Sequence, residues 1–394
     1  MKKFLFLLLP ALIFLLSCDT RTEHSPEKEE MFTLRFGAMD DGLGNRACAV
    51  MSDGFFIISD TGRQKLMKFN SYGDLTDLYY NSSKSRPVIL NGKPGKISPV
   101  SSGKEFPFIS PTHTATDKKQ NIYVADKLPE HMHQKSSLFD TVLAYTVHCF
   151  DAAGNYTGKL GPEGPGADPF PMITKLETNN SGHLIVHALV PEGKIIYWFS
   201  ENMTPLYKLI FSPGDFMTDE TDPQLIASPD TVSASADGYF LYIKVDFYRR
   251  TMGENDIDFH KSSVFTYDMA QREFTGSIDI PHTYMAAENG GKSISIDRLE
   301  TIYQLLGVHG SDILFLASPV SSTRYNILIL SADGNIIANT YIDCGVNREY
   351  FSDISLNTEG IISALIKDEE KVHAVWWRSD RLLPDFRKSL PSPF

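Results

Sequence analysis

The sequence predicts an all-β fold, a six-bladed β-propeller closed by an N-terminal strand. Two observations carry that prediction. A unit of short strands separated by polar turns containing Gly, Asp or Asn recurs six times along the chain of 394 residues. The sixth copy supplies only three strands, and one apolar segment, "MFTLRF" at residues 31–36, stands unassigned ahead of the first copy. A radial array of four-stranded sheets leaves only short, protected edges, and such arrays hold four to eight blades. The leftover segment therefore fits as the outer strand of the sixth blade, joining the two ends of the chain. A β-sandwich is the structural alternative, since short strands with regular turns suit it too.

The copies follow in order. The first, "ACAVMSDGFFIISDTGRQKLMKFNSYGDLTDLYY", turns at Asp53-Gly54, where glycine permits backbone angles other residues resist. It continues with strands at residues 55–59, 65–69 and 75–80, the last after the turn Tyr72-Gly73-Asp74. The second runs from "PTHTATDKKQNIYVAD" to "YTVHCFDAAGNYTGKL", and the third is "ITKLETNNSGHLIVHALVPEGKIIYWFSENMTPLYKL". The fourth begins "TVSASADGYFLYIKV" and resumes at "SSVFTYDMAQREFTGSIDI". The fifth joins "TIYQLLGVHGSDILFLASP" to "YNILILSADGNIIANTYI", and the sixth is "FSDISLNTEGIISALIKDEEKVHAVWWRSD". Together with residues 31–36 they make one domain over residues 31–385, followed by a tail at 386–394.

Ahead of the domain stands "MKKFLFLLLPALIFLLSCDTR". Lys2 and Lys3 form a basic start and residues 4–16 an apolar run too short and too Pro-interrupted to span a membrane well. Residues 1–17 thus read as a signal peptide. The cut site Leu15-Leu16-Ser17-Cys18 resembles the lipobox of bacterial lipoproteins. That resemblance implies diacylglycerol on the Cys18 thiol, cleavage before Cys18 and acylation of the new amino terminus; several acyl chains hold a protein stably at a bilayer. Residues 18–30, almost without apolar side chains after the cysteine, read as the lipidated start and a flexible tether. The expected destination is the bacterial cell envelope, extracytoplasmic, on a periplasmic or a surface-exposed side.

The net charge of −12, or −14 without Lys2 and Lys3, gives no reason to expect nucleic acid as a partner and argues against broad adhesion to anionic headgroups. Membrane attachment therefore rests on the lipid. Cys48, Cys149 and Cys344 are too widely spaced for a disulfide scaffold and read as buried small hydrophobes, with one disulfide of unassigned pairing and a spare thiol as the alternative, and no CxxC or paired Cys/His spacing suggests zinc.

The repeats also resemble the NHL-repeat and TolB-like six-bladed propeller families, and more narrowly their lipid-anchored relatives in spirochaetes and Bacteroides-type bacteria. The most specific stretch is "GKLGPEGPGADPFP", in which Gly161, Gly164, Pro165, Gly166 and Phe170 keep the outline of a Gly-x-x-Gly-x-Gly-Pro-Gly-x-Phe connector, lengthened by Ala167-Asp168-Pro169. "MFTLRFGAMDDGLGN" is similar to the opening of a spirochaete lipoprotein subgroup. The resemblance implies the fold; propellers host unrelated activities, so it implies no reaction.

Chemistry is written less plainly. "DFYRRTMGENDIDFHK" interrupts the fourth blade and places Tyr248, Arg249 and Arg250 near Glu254, Asp256 and Asp258. Tyr and Arg contribute strongly to interfaces and long interruptions of repeats map to functional loops, so this is the expected contact surface. Its acidic spacing lacks the Gly and terminal Glu of a calcium loop. A second interruption, "DKLPEHMHQKSSLFDT", brings His131 and His133 together, with His113 on the neighbouring inner strand; these three are weaker candidates for ligand binding. His183 and His187 share a strand face but stand four positions apart, which suits packing better than one metal ion. Trp376 and Trp377 send one indole to each face of a strand. The glycine-rich stretch has neither GxGxxG nor GxxxxGK spacing, and GxSxG and HExxH are absent from the chain. No catalytic residue, metal or cofactor is assigned beyond the covalent lipid. The expected function is a lipid-anchored scaffold binding an envelope protein or a small ligand. The alternatives are a carbohydrate-active hydrolase or lyase and a chiefly structural envelope protein.

Overall fold

The computed structural model describes residues 25–26, 28–35, 43, 47–86, 89–91, 97–99, 103–217, 222, 224–250, 257–285, 288–289, 292–293, 299–321, 323–344, 354–367 and 371–383. Six antiparallel sheets follow one another along the chain as the blades of a propeller. The innermost strands are Ala47–Ser52, Thr114–Thr116, Met172–Thr178, Leu225–Ala234, Gln304–His309 and Ser355–Leu356. From each, the sheet meanders outward in chain order. Blades 1 and 2 gain a short fifth strand, Lys104–Glu105 and Gly164–Pro165.

Ring closure follows the expectation. Strand Lys28–Arg35 lies antiparallel to Lys371–Trp377 as the outermost strand of blade 6, with Lys28 opposite Trp377 and Arg35 opposite Lys371. Pairing thus starts at Lys28, inside the stretch read as tether. Phe32 sits at 5.6 Å from both Phe56 and Phe69 of blade 1, so the strand fills the joint between the last blade and the first. Trp376 Nε1 donates to Glu29 Oε2 at 2.8 Å, while Trp377 is fully buried on the opposite face. The signal segment, Cys18 and the tail at 386–394 lie outside the described residues.

The core is divided. Six clusters of buried apolar side chains each lie between two consecutive blades: Ile57, Tyr79 and Val124 between blades 1 and 2, Leu160 and Val186 between 2 and 3, Trp198 and Ile243 between 3 and 4. Leu305 and Val264 then join blades 4 and 5, Ile327 and Trp377 blades 5 and 6, and Phe56 and Leu365 blades 6 and 1. Both faces of every blade are therefore covered, which explains why middle strands such as Leu184–Val190 (LIVHALV) read as nearly continuous apolar runs.

In a four-stranded meander, turns after the first and third strands lie on one face of the ring, and connections after the second and fourth on the other. The first face carries short turns. Asp53 and Gly54 both take positive φ (46° and 75°) there, the geometry a two-residue hairpin needs. Turns of neighbouring blades are also bonded to each other: Asn180 N donates to Ala236 O and Ala236 N to Gly310 O, both at 2.8 Å. The opposite face carries the longer connections. One of these is pinned by Asp126, whose buried carboxylate accepts from the backbone N–H groups of Ile109, Ser110 and Lys127.

Candidate functional site

A cavity of 420 Å³ lies on the propeller axis, walled by the inner strands of all six blades. Its charges are unevenly placed. Lys175, Glu177, His187 and Lys194 of blade 3 and Asp230 of blade 4 carry the ionisable groups, together with His113 of blade 2. Blades 1, 5 and 6 contribute apolar and uncharged polar residues, among them Val50, Leu305, Leu306, Val308 and Leu356.

Two polar networks back the charged wall. In the first, Glu177 is the hub. Its Oε1 pairs with Lys175 Nζ and accepts from Ser233 Oγ at 2.6 Å. Its Oε2 accepts from His187 Nε2 at 3.0 Å and from the backbone N–H of Ala234 at 3.2 Å. Burial by itself would push the Glu177 carboxyl up, but the charge of Lys175 and the hydrogen bonds from Lys175 and His187 outweigh it and hold it well below the usual carboxylate range. Burial pulls His187 down against the opposing pull of Glu177. A neutral imidazole that donates from Nε2 keeps a bare lone pair on Nδ1, and this buried atom has no hydrogen-bond partner among the described residues.

The second network is centred on Lys244, fully buried in the second strand of blade 4. Its ammonium donates to both oxygens of Asp246, at 2.7 and 2.8 Å, and to Asp230 Oδ2 at 3.1 Å. Ser262 Oγ also donates to Asp246, and Thr231 Oγ1 donates to Asp230 at 3.1 Å. Buried charges are tolerated when paired and hydrogen-bonded in this way.

Lys194 differs from both. It follows Gly193 at the tight turn between the second and third strands of blade 3. There a side chain on residue 193 would meet Phe211 O at 2.1 Å and φ is 147°, so only glycine fits. Lys194 is half-buried against the cavity and makes no hydrogen bond or ion pair with any described residue. Burial lowers its pKa, offset in part by the charge of Asp230.

The residues singled out from the sequence are distributed otherwise. His113 lines the cavity. His131 lies in a short 3-10 turn, Glu130–Met132, and His133 just beyond it bonds Leu128 O at 2.8 Å; neither lines the cavity. His183 accepts from Trp198 Nε1 of the same blade at 3.1 Å. Among the described residues no group of three or more His, Cys, Asp or Glu side chains is arranged to hold a metal.

The interruption of blade 4 corrects the expectation of a loop. Tyr248, Arg249 and Arg250 end strand Phe240–Arg250 and Asp258 lies in strand Ile257–Asp268, so these four ride on a hairpin running past the blade. Glu254 and Asp256 lie outside the described residues. Tyr248 packs on Phe259 at 6.0 Å and Arg249, itself exposed, pairs with Asp222 at 3.2 Å, while Arg250 is exposed with no ion pair among the described residues. The hairpin escaped notice although Ile257 and Phe259 alternate with Asp258 and His260, because the facing strand end, Tyr248-Arg249-Arg250, shows no such alternation.

Lys175, Glu177, Lys194, Asp230 and Lys244 were not singled out from the sequence. The signal was present in "ITKLET" and "YIKVDF", where two opposite charges stand two positions apart inside an otherwise apolar strand. That spacing puts both on one face.

No protein-family model matches the chain, and no curated protein matches it in sequence. Solved structures resemble it in chain path. A gluconolactonase from Xanthomonas campestris aligns at 9% identity and TM-score 0.40, covering 89% of this chain and 97% of that one. The polysaccharide lyase Uly1 aligns at 9% identity and TM-score 0.45, covering 87% and 91%. An ulvan lyase of type PL25 aligns at 9% identity and TM-score 0.46, covering 93% and 100%. Likenesses at this level assign no residue a role.

Proposed function

We propose that this chain is a lipid-anchored, extracytoplasmic binding propeller whose axial cavity takes a small ligand at the bacterial cell envelope. The cavity carries the reading. Its 420 Å³ falls within the range of about 300–1,000 Å³ common for small-molecule sites, and it combines apolar walls with a few convergent polar groups. The anchor rests on the lipobox-like sequence ending at Cys18, and membership of the NHL-repeat and TolB-like lipoproteins rests on the quoted repeat and connector sequences. Binding ranks ahead of catalysis because the acid–base groups are engaged with each other. Glu177 is held ionised by four donors and His187 commits Nε2 to it. An envelope protein meeting the blade 4 hairpin around Tyr248 and Arg250 belongs to the same proposal as a second contact.

The test is retention of small molecules from a bacterial extract. Wild-type protein and a variant with a blocked cavity, Val50→Trp, are incubated with the extract, washed, and analysed by mass spectrometry of the released molecules. A compound reproducibly retained by wild type and lost from a folded Val50→Trp variant supports the reading. Equal retention by both removes the cavity from it, and steady conversion of the retained compound replaces binding with catalysis.

A further inference from the structure

We infer that the ligand of the axial cavity is a small monocarboxylate whose carboxylate pairs with Lys194 and whose weakly polar body lies against blades 1, 5 and 6. This rests on the cavity being a binding site and goes further by naming the chemical class.

Three observations converge on it. The first is the unpaired ammonium. Of the three lysines on or behind the charged wall, Lys175 is matched by Glu177 and Lys244 by Asp246 and Asp230, whereas Lys194 touches no carboxylate among the described residues. A half-desolvated cation without a contact partner is unfavourable, and an anion placed beside it removes that cost. The charge of Asp230 offsets that cost only in part and from a distance, since Asp230 makes no ion pair or hydrogen bond with Lys194 and its Oδ2 is held by Lys244 and Thr231.

The second observation limits the charge. Glu177 and Asp230 line the same wall as Lys194. Lys175, Lys194 and Lys244 are equal in number to Glu177, Asp230 and Asp246, so a dianion would set its second charge near these carboxylates with no further unpaired cation among the described residues to meet it, whereas a single negative charge needs only Lys194. The third concerns the remainder of the ligand. Opposite the charged wall stand Val50, Leu306 and Leu356 with the uncharged polar Gln304 and Ser355, and no ionisable side chain from blades 1, 5 or 6 except Cys48. Such a wall favours a weakly polar body over a second charged group.

The probes are hexanoate and hexanamide, which match in shape and differ in ionisation, with succinate as the doubly charged comparison. Binding to the purified chain is followed by calorimetry. Occupancy at Lys194 is followed by its rate of acetylation with acetic anhydride, read by peptide mass spectrometry. The expected result is that hexanoate binds about tenfold or more tighter than hexanamide and succinate and slows acetylation of Lys194 selectively. Lys194→Met removes the preference for hexanoate, and Lys194→Arg, which keeps the charge, retains it. The arginine variant also separates loss of the ion pair from loss of fold.

Equal binding of hexanoate and hexanamide overturns the carboxylate inference while leaving the cavity as a binding site. Tighter binding of succinate overturns the limit to one charge. No binding of any probe at millimolar concentration overturns the inference as well, and the extract experiment with Val50→Trp then decides separately whether the cavity binds anything.

Discussion

Lysine and glutamate placed two apart on an inner strand, as Lys175 and Glu177 are, turn one wall of an apolar channel into an electrostatic device. Removing one partner of such a buried pair leaves the other charge uncompensated. Glu177→Gln is therefore expected to lower stability by about 3 kcal/mol in urea unfolding, and Lys175→Met with Glu177→Gln together should cost less than the sum of the single changes. The pH dependence follows from the same groups, with Lys175 and Lys194 the cations facing His187. His187 is depressed in the fold, so below its ordinary value of about 6.5 the unfolded chain binds a proton that the native chain refuses, and stability falls as pH drops. Glu177 is depressed too, so its contribution is present above its ordinary value of about 4.5 and is lost on further acidification. Melting temperature should thus decline from near neutrality downward, and His187→Gln should flatten the upper part of that decline while leaving the part near pH 4. A profile unchanged by His187→Gln would sink this assignment. The pairing of charges by strand period was present in the sequence but was not singled out from it. That Ser233 and His187 meet the same carboxylate was hidden, because they arrive from other strands.

At the scale of elements, the strand Lys28–Arg35 does two jobs, completing blade 6 and filling the joint with blade 1 through Phe32. Phe32→Ala should cost about 3–4 kcal/mol by the loss of a buried aromatic side chain. Deleting residues 28–35 should lower the melting temperature far more than deleting residues 19–24, and equal effects would refute the closure as a stabilising element. This strand was legible because a three-stranded sixth repeat and one spare apolar segment leave little choice. Its first three residues, Lys28, Glu29 and Glu30, were not. Charged residues on an outer strand look like tether until their partners are known, here Cys344 O for Lys28 and Trp376 for Glu29. The blade 4 hairpin failed for the same reason: strands extending past the sheet bury little, and burial is what writes alternation into a sequence.

Across the whole molecule the described residues form no single core; their apolar packing is spread over six joints between blades. Removing blade 6 by truncation after residue 344 should therefore leave the facing apolar surfaces of blades 1 and 5 uncovered. Limited proteolysis should then find a loosened chain rather than a five-bladed ring, and a protease-resistant truncated product would contradict this. The ring was readable from the sequence because repeats announce themselves, while the axial site was not, because no repeat contains it. The closing strand has one more consequence, in time. Thr33 bonds His373 across 340 positions, so the strand that leaves the ribosome before the first blade finds its partner only when the last blade has emerged. Until then Phe32 and Leu34 have no sheet to join. Completion of the ring thus marks completion of the chain, and a polypeptide cut short during synthesis is left with an open edge by which it differs from a finished one.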